Sequence, residues 1–118
     1  MCVQLLAVWE LCEKQKQCNA MIVDVRGVER YQIGHVVGAL SYPADCLLET
    51  DEQEKCLTAE QCEAMEYLLQ GGVWIVYCER GNVSLLVGRS LAEQGYELYS
   101  LLGGYKAYKQ YMDSSIDG

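Results

Sequence analysis

The stretch Val73-Trp74-Ile75-Val76-Tyr77-Cys78-Glu79-Arg80-Gly81-Asn82-Val83-Ser84 decides how this chain is read. Val73 to Tyr77 form an uninterrupted apolar run, preceded by Gly71-Gly72 and followed by a glycine-bearing turn. Such a run suits a strand covered on both faces, as in a parallel sheet. Beyond Ser84, residues Leu85, Leu86, Leu91 and Ala92 recur at helical spacing until Gly95 stops the helix. Cys78 therefore falls between the carboxyl end of a strand and the amino end of a helix. A thiol there meets backbone N–H groups that no helical carbonyl uses, and the positive end of the helix dipole; both favour the thiolate. The same donors can hold an anion beside the sulfur. This is the setting of a nucleophilic cysteine, with a buried and inert apolar cysteine as the plainer alternative.

Outward from that stretch, helices and strands alternate. Leu5, Leu6, Val8, Trp9 and Cys12 suggest a first helix, and residues 21–25 a short buried strand. Residues 28–32 make one helical turn before Gly34, and residues 37–42 read as another strand ended by Pro43. The acidic segment 44–57 reads as a loop with a short helix. Thr58-Ala59-Glu60-Gln61 is a capping box, opening a helix that carries Cys62, Met65, Leu68 and Leu69 inward. Residues 98–101 read as a strand, and Gly103-Gly104 turns the chain into a last helix over 105–112. This alternation predicts an α/β fold with a largely parallel sheet, whose sites lie at the carboxyl ends of strands.

Composition narrows the function classes. The 118 residues suffice for one domain, 1–118, around a single core. The formal net charge of −8 argues against nucleic acid or an anionic membrane as a partner. No apolar run approaches the roughly 20 residues that span a bilayer, and no basic region precedes an apolar stretch at the amino terminus. Seven cysteines, an odd number without any C-x-x-C, and the single histidine His35 predict neither a disulfide framework nor a zinc site. The expectation is a cytoplasmic, reduced protein with no metal and no cofactor.

Asp24-Val25-Arg26, Tyr31, Gly34-His35-Val36 and Gly38-Ala39, then Tyr77 to Ser84, then Gly95-Tyr96, Leu101-Leu102-Gly103-Gly104-Tyr105 and Ala107-Tyr108, resemble in order the motifs of the rhodanese-like family. The resemblance implies a central, mostly parallel five-stranded sheet flanked by helices on both faces. It also implies a sulfurtransferase: a cysteine takes sulfane sulfur from thiosulfate or a persulfide donor, carries it as a persulfide, and passes it to a thiophilic acceptor. By the same resemblance Cys78 is the sulfur carrier, and Glu79, Arg80, Gly81, Asn82, Val83 and Ser84 form the loop that holds it. Backbone amides from Glu79 through Ser84 are expected to stabilise the persulfide as oxyanion holes stabilise oxygen. Asp24 and Arg26 are expected to pair with each other or with nearby backbone, and His35 to be a hydrogen-bonded structural residue.

Loop length separates two chemistries on this fold. A related phosphatase class places an arginine six residues after its cysteine to bind phosphate bidentately. Here that position is Ser84, and the next arginine, Arg89, lies well into the helix. Sulfur is favoured over phosphate. Glu79 and Val83 stand where many such loops carry a basic residue, leaving Arg80 as the only loop cation. Glu79 is expected to face solvent; turned inward, it would repel thiosulfate. A protein-to-protein sulfur relay and a non-catalytic interaction domain are the alternative functions, and Cys78 counts against the second. The expected partners are a small sulfane-sulfur donor and a possible protein donor or acceptor. Cys46, after Pro43, reads as a buried apolar residue or as a resolving thiol for the Cys78 persulfide.

Overall fold

The structure, a computed structural model, describes residues 3–45 and 58–116. Five strands form one sheet: β1 (Gln4–Leu6), β2 (Met21–Asp24), β3 (Leu40–Ser41), β4 (Val73–Tyr77) and β5 (Glu97–Leu101). Their order is β1-β5-β4-β2-β3 and every neighbouring pair is parallel. Alongside them run helices α1 (Leu11–Cys18, entered through a 3-10 turn at Val8–Glu10), α2 (Val28–Ile33), α3 (Ala59–Leu69), α4 (Asn82–Glu93) and α5 (Gly104–Ile116).

Strand β4 lies at the centre, and all five of its side chains are buried. Alternation divides them between two cores. Trp74 and Val76, followed by Cys78, join Val23, Val25 and Leu98 with Ala64, Leu68, Val87 and Leu91 of α3 and α4. Val73, Ile75 and Tyr77 join Leu6, Leu11, Ile22, Tyr99 and Leu101 on the opposite face, with Tyr105 and Tyr108 of α5 packed against them. Helices thus cover both faces, which is why β4 reads as an apolar run without alternation.

The capping box forms as expected: Gln61 N donates to Thr58 Oγ1 and Thr58 N to Gln61 Oε1, both at 3.1 Å. Of the four residues expected inward on α3, Leu68 is buried and Met65 packs against the core. Ala64 is buried as well, whereas Cys62 and Leu69 are exposed. The small Ala64 lets fully buried Trp74 approach and donate its indole N–H to the Ala64 carbonyl at 3.0 Å. That contact satisfies the one polar group of the indole. On α4 the inward residues are Ser84, Val87, Gly88, Leu91 and Ala92, with Leu86 facing out.

Two other expectations need correction. Residues 4–6 form edge strand β1 and not the start of a helix; β1 pairs with β5 through Leu6 and Leu101. Of residues 37–42 only Leu40 and Ser41 are strand. Ala39 N donates to Val36 O at 2.9 Å, closing a turn that leaves Val37 exposed. Cys46 and most of the acidic segment lie outside the described residues.

Candidate active site

Cys78 follows β4 directly, and its loop leads into α4. Gly81, the residue before that helix, has φ of 103°, a left-handed conformation that glycine adopts without steric cost. A side chain there would also come within 3.3 Å of Gly103 N. The turn brings two amides onto the sulfur: Gly81 N donates to Cys78 Sγ at 3.0 Å and Ser84 N at 3.3 Å. Cys78 itself is only 5 % exposed. Among the described residues no protein acceptor meets the amides of Arg80, Asn82 or Val83. Of the six amides expected to form the cradle, those of Gly81 and Ser84 meet the cysteine sulfur itself.

Behind the sulfur lies a buried hydroxyl pair. The Cys78 thiol is 3.6 Å from Ser84 Oγ, which donates to Gly81 O at 3.2 Å and is 2.9 Å from Ser100 Oγ. Ser84 and Ser100 are both buried. Ser100 stands opposite Val76 in the β4–β5 register, so it faces α4 on the same side as Val76. Sequence reasoning missed Ser100; the signal was its place two residues after Leu98 on the inward side of β5.

The loop is clamped from α5. Tyr105 N donates to Cys78 O at 2.8 Å and Lys106 N to Glu79 O at 3.0 Å, so amides of the first turn of α5 hold the two peptide units that follow the cysteine. Gly104, with φ of 64°, allows this approach; a Cβ at that position would collide with the backbone of Cys78 and Glu79.

Arg26 and Asp24 pair as expected. Arg26 Nε donates to both carboxylate oxygens at 3.0 and 3.1 Å, and Nη2 donates to Oδ2 at 2.7 Å. Nη2 also meets Gly34 O at 2.6 Å, while the guanidinium lies 4.3 Å from the Tyr105 ring centre. Nη1 is left, and Glu79 Oε1 takes it at 3.1 Å. Glu79 is therefore bound to Arg26 and not free in solvent, although its side chain is 43 % exposed. An unmet donor on a buried guanidinium is costly, and Glu79 removes that cost. Burial alone would lower the Arg26 pKa; the hydrogen bonds and charge of Asp24, then Glu79, outweigh it and raise the value. Tyr77 donates to Asp24 Oδ2 at 2.9 Å and accepts from Val36 N at 3.0 Å. Burial, reinforced by the charge of Asp24, raises its phenol well above the ordinary value.

His35 Nδ1 donates to Tyr31 O at 2.8 Å, and its ring stacks on the Tyr31 ring at 3.8 Å. This is the structural role expected of it. The sulfur opens onto a cleft of about 550 Å³ whose lining includes Arg26, Arg30, Cys78, Glu79, Arg80 and Val83. Asn82 lines the same cleft. Ser84 occupies the sixth position after Cys78, and Arg89 is exposed farther along α4. The arginine fork of a phosphate site is absent from the loop.

The Rhodanese-like domain family matches residues 8–111, and this chain belongs to it. A thiosulfate sulfurtransferase GlpE of Coxiella burnetii is 32% identical over 111 residues, covering 93% of this chain and 88% of that protein. The centrosomal protein of 41 kDa of Mus musculus is 32% identical over 95 residues, 79% of this chain but 24% of that protein. Among solved structures, the reduced CoADR-RHD of Bacillus anthracis superposes with a TM-score of 0.70 at 20% identity, over 95% of this chain and 17% of that one. A Rhodopseudomonas palustris protein described as a possible tyrosine phosphatase gives 0.69 at 19% identity, over 92% and 81%. The structures establish the shared fold alone. Family membership and the similarity to a sulfurtransferase support sulfur transfer as the general function.

Proposed function

We propose that this chain is a sulfurtransferase whose Cys78 carries sulfane sulfur as a persulfide. The observation that carries the reading is the sulfur itself, held by the Gly81 and Ser84 amides at the mouth of a cleft, in a loop with serine where a phosphatase has arginine. The Cys78 thiolate attacks the outer sulfur of thiosulfate; an S–S bond forms, the S–S bond to the sulfonate sulfur breaks, and sulfite leaves with the electron pair. A thiophilic acceptor then attacks the outer sulfur of the persulfide and Cys78 leaves as thiolate. One nucleophile serves both half reactions, first as attacking group and then as leaving group. The Gly81 and Ser84 amides hold Sγ throughout. The amides of Arg80, Asn82 and Val83 are the donors left for the outer sulfur, and Arg80 draws an anionic donor to the loop. A persulfide donor enters by the same attack with a thiolate leaving in place of sulfite. The reaction needs a reduced Cys78, which fits the cytoplasm.

Incubation with thiosulfate, and separately with an inorganic polysulfide, should add one sulfur atom to the Cys78 peptide by mass. Cyanide should remove it as thiocyanate, and Cys78→Ser should abolish both steps. Thiocyanate release by the variant at the wild-type rate would overturn the assignment. Loading by polysulfide but not by thiosulfate would favour the relay reading, with a protein or small persulfide as donor.

A further inference from the structure

The Arg26–Glu79 pair is also the wall of a second cleft, of about 370 Å³, on the α2–α5 side. Arg26, Arg30 and Glu79 line both clefts. The second is completed chiefly by Lys106, Lys109, Gln110 and Asp113 of α5. Spacing accounts for this row: positions 106, 109, 110 and 113 fall on one face of a helix. Tyr105, beneath the Arg26 guanidinium, and Ile33 supply aromatic and apolar surface.

The charges here are unusual for this molecule. The chain carries a net −8, yet four cations line this cleft against two carboxylates. Arg26 and Glu79 are paired with each other, and Arg26 also with Asp24, which leaves Arg30, Lys106 and Lys109 against the single carboxylate Asp113. Among the described residues the only ion pairs are Arg26 with Asp24 and Arg26 with Glu79. Arg30, Lys106 and Lys109 therefore converge without an ion-pair partner. Like charges gathered in a concave site are unfavourable unless an anion neutralises them there. The volume lies within the range of small-molecule sites.

We propose that this cleft anchors the carboxylates of a low-molecular-weight thiol acceptor of peptide size, whose sulfur reaches over the Arg26–Glu79 wall to the Cys78 persulfide. The inference rests on the persulfide reading above. In the transfer the acceptor thiolate forms a bond to the outer sulfur, the bond from that sulfur to Cys78 breaks, and Cys78 departs as thiolate; the acceptor becomes a persulfide. Lys106 and Lys109 fix the acceptor by charge, and Arg30, on both clefts, meets it between them.

Transfer from sulfur-loaded protein to 2-mercaptoethanol, 3-mercaptopropionate and glutathione, which bear increasing numbers of carboxylates, tests this in the wild type and in Lys106→Gln/Lys109→Gln. The ratio of kcat/KM for glutathione to that for 2-mercaptoethanol should fall at least tenfold in the variant, through KM. Binding of S-methylglutathione, which has no thiol to react, should weaken by a similar factor by calorimetry and be lost at high salt. Equal ratios in the two proteins, or equal affinity for S-methylglutathione, would overturn the subsite while leaving the persulfide intact. Failure of the wild type to load sulfur on Cys78 marks instead a failure of the sulfurtransferase reading. Circular dichroism of the variant, expected to match the wild type, separates a lost charge from a lost fold.

Discussion

Glu79 answers two opposing demands. Arg26 uses Nε and Nη2 on Asp24 and Gly34, and Glu79 satisfies the remaining Nη1. The same carboxylate lines the cleft at Cys78, where it would repel an anionic donor such as the proposed thiosulfate. Glu79→Gln keeps a side-chain oxygen for Arg26 and removes the charge. At an effective dielectric near 20, a unit charge about 8 Å away contributes roughly 2 kcal/mol, and partial exposure reduces this to about 0.7–1.4 kcal/mol. The expected outcome is a three- to tenfold rise in kcat/KM for thiosulfate at low salt, by the usual conversion of those energies, shrinking as salt is added. Steady-state thiocyanate assays at two ionic strengths check it; equal rates for both proteins would place donor choice elsewhere. The Cys78 loop was legible because its determinants are contiguous: strand end, glycine, helix start. The grip of Arg26 on Glu79 was not, since it joins residues 53 apart whose proximity exists only once β2 and β4 pair. The Ser84–Ser100 contact was hidden for the same reason, across β5.

At the scale of elements, α5 matters as much to the site as the helix that follows Cys78. Its first amides bind the carbonyls of Cys78 and Glu79, so the Gly103-Gly104 turn sets where the sulfur sits. Gly104→Ala adds a methyl group against that backbone and strains a positive φ. A stability loss of about 1–3 kcal/mol is expected, along with sulfur loading slowed by more than the unfolded fraction explains. Urea midpoints and loading rates measured together check it; wild-type values for both would mean that the clamp is dispensable. Elements with local signatures were readable in the chain, as Thr58 and Gln61 show for α3. Elements defined by a partner were not. Strand β1 has three residues and one buried side chain, Leu6, and exists through its pairing with β5. The face of α3 was read correctly at Met65 and Leu68 but not at Cys62 and Leu69, which apolarity marked, while the close approach of Trp74 required the small Ala64.

For the molecule as a whole, Tyr77 is the point where these elements lock. It ends the central strand, donates to Asp24 of β2 and accepts from Val36 beyond α2, and its ring lies 6.2 Å from that of Tyr105 on α5. Removing the hydroxyl as Tyr77→Phe loses a hydrogen bond to a charged group and leaves Val36 N without that acceptor, a loss of about 2–4 kcal/mol at neutral pH. The same hydroxyl makes stability depend on pH. Burial first, then the Asp24 charge, holds the folded phenol above its ordinary value, whereas the unfolded chain ionises near pH 10. A raised folded pKa gives stability that is whole below the unfolded value and is lost as pH climbs beyond it. In that window the unfolded state sheds a proton that the folded state keeps, and stability falls by about 1.4 kcal/mol per pH unit for this one group. The other eight tyrosines of the nine contribute in both proteins, so the informative quantity is the gap between wild type and Tyr77→Phe. Denaturant unfolding at pH 7, 10 and 11 should show that gap nearly constant to about pH 10 and narrowing above it. A gap that stays constant through pH 11 would mean that Tyr77 ionises as easily in the fold as outside it, and that the Asp24–Arg26–Tyr77 network does not hold its proton.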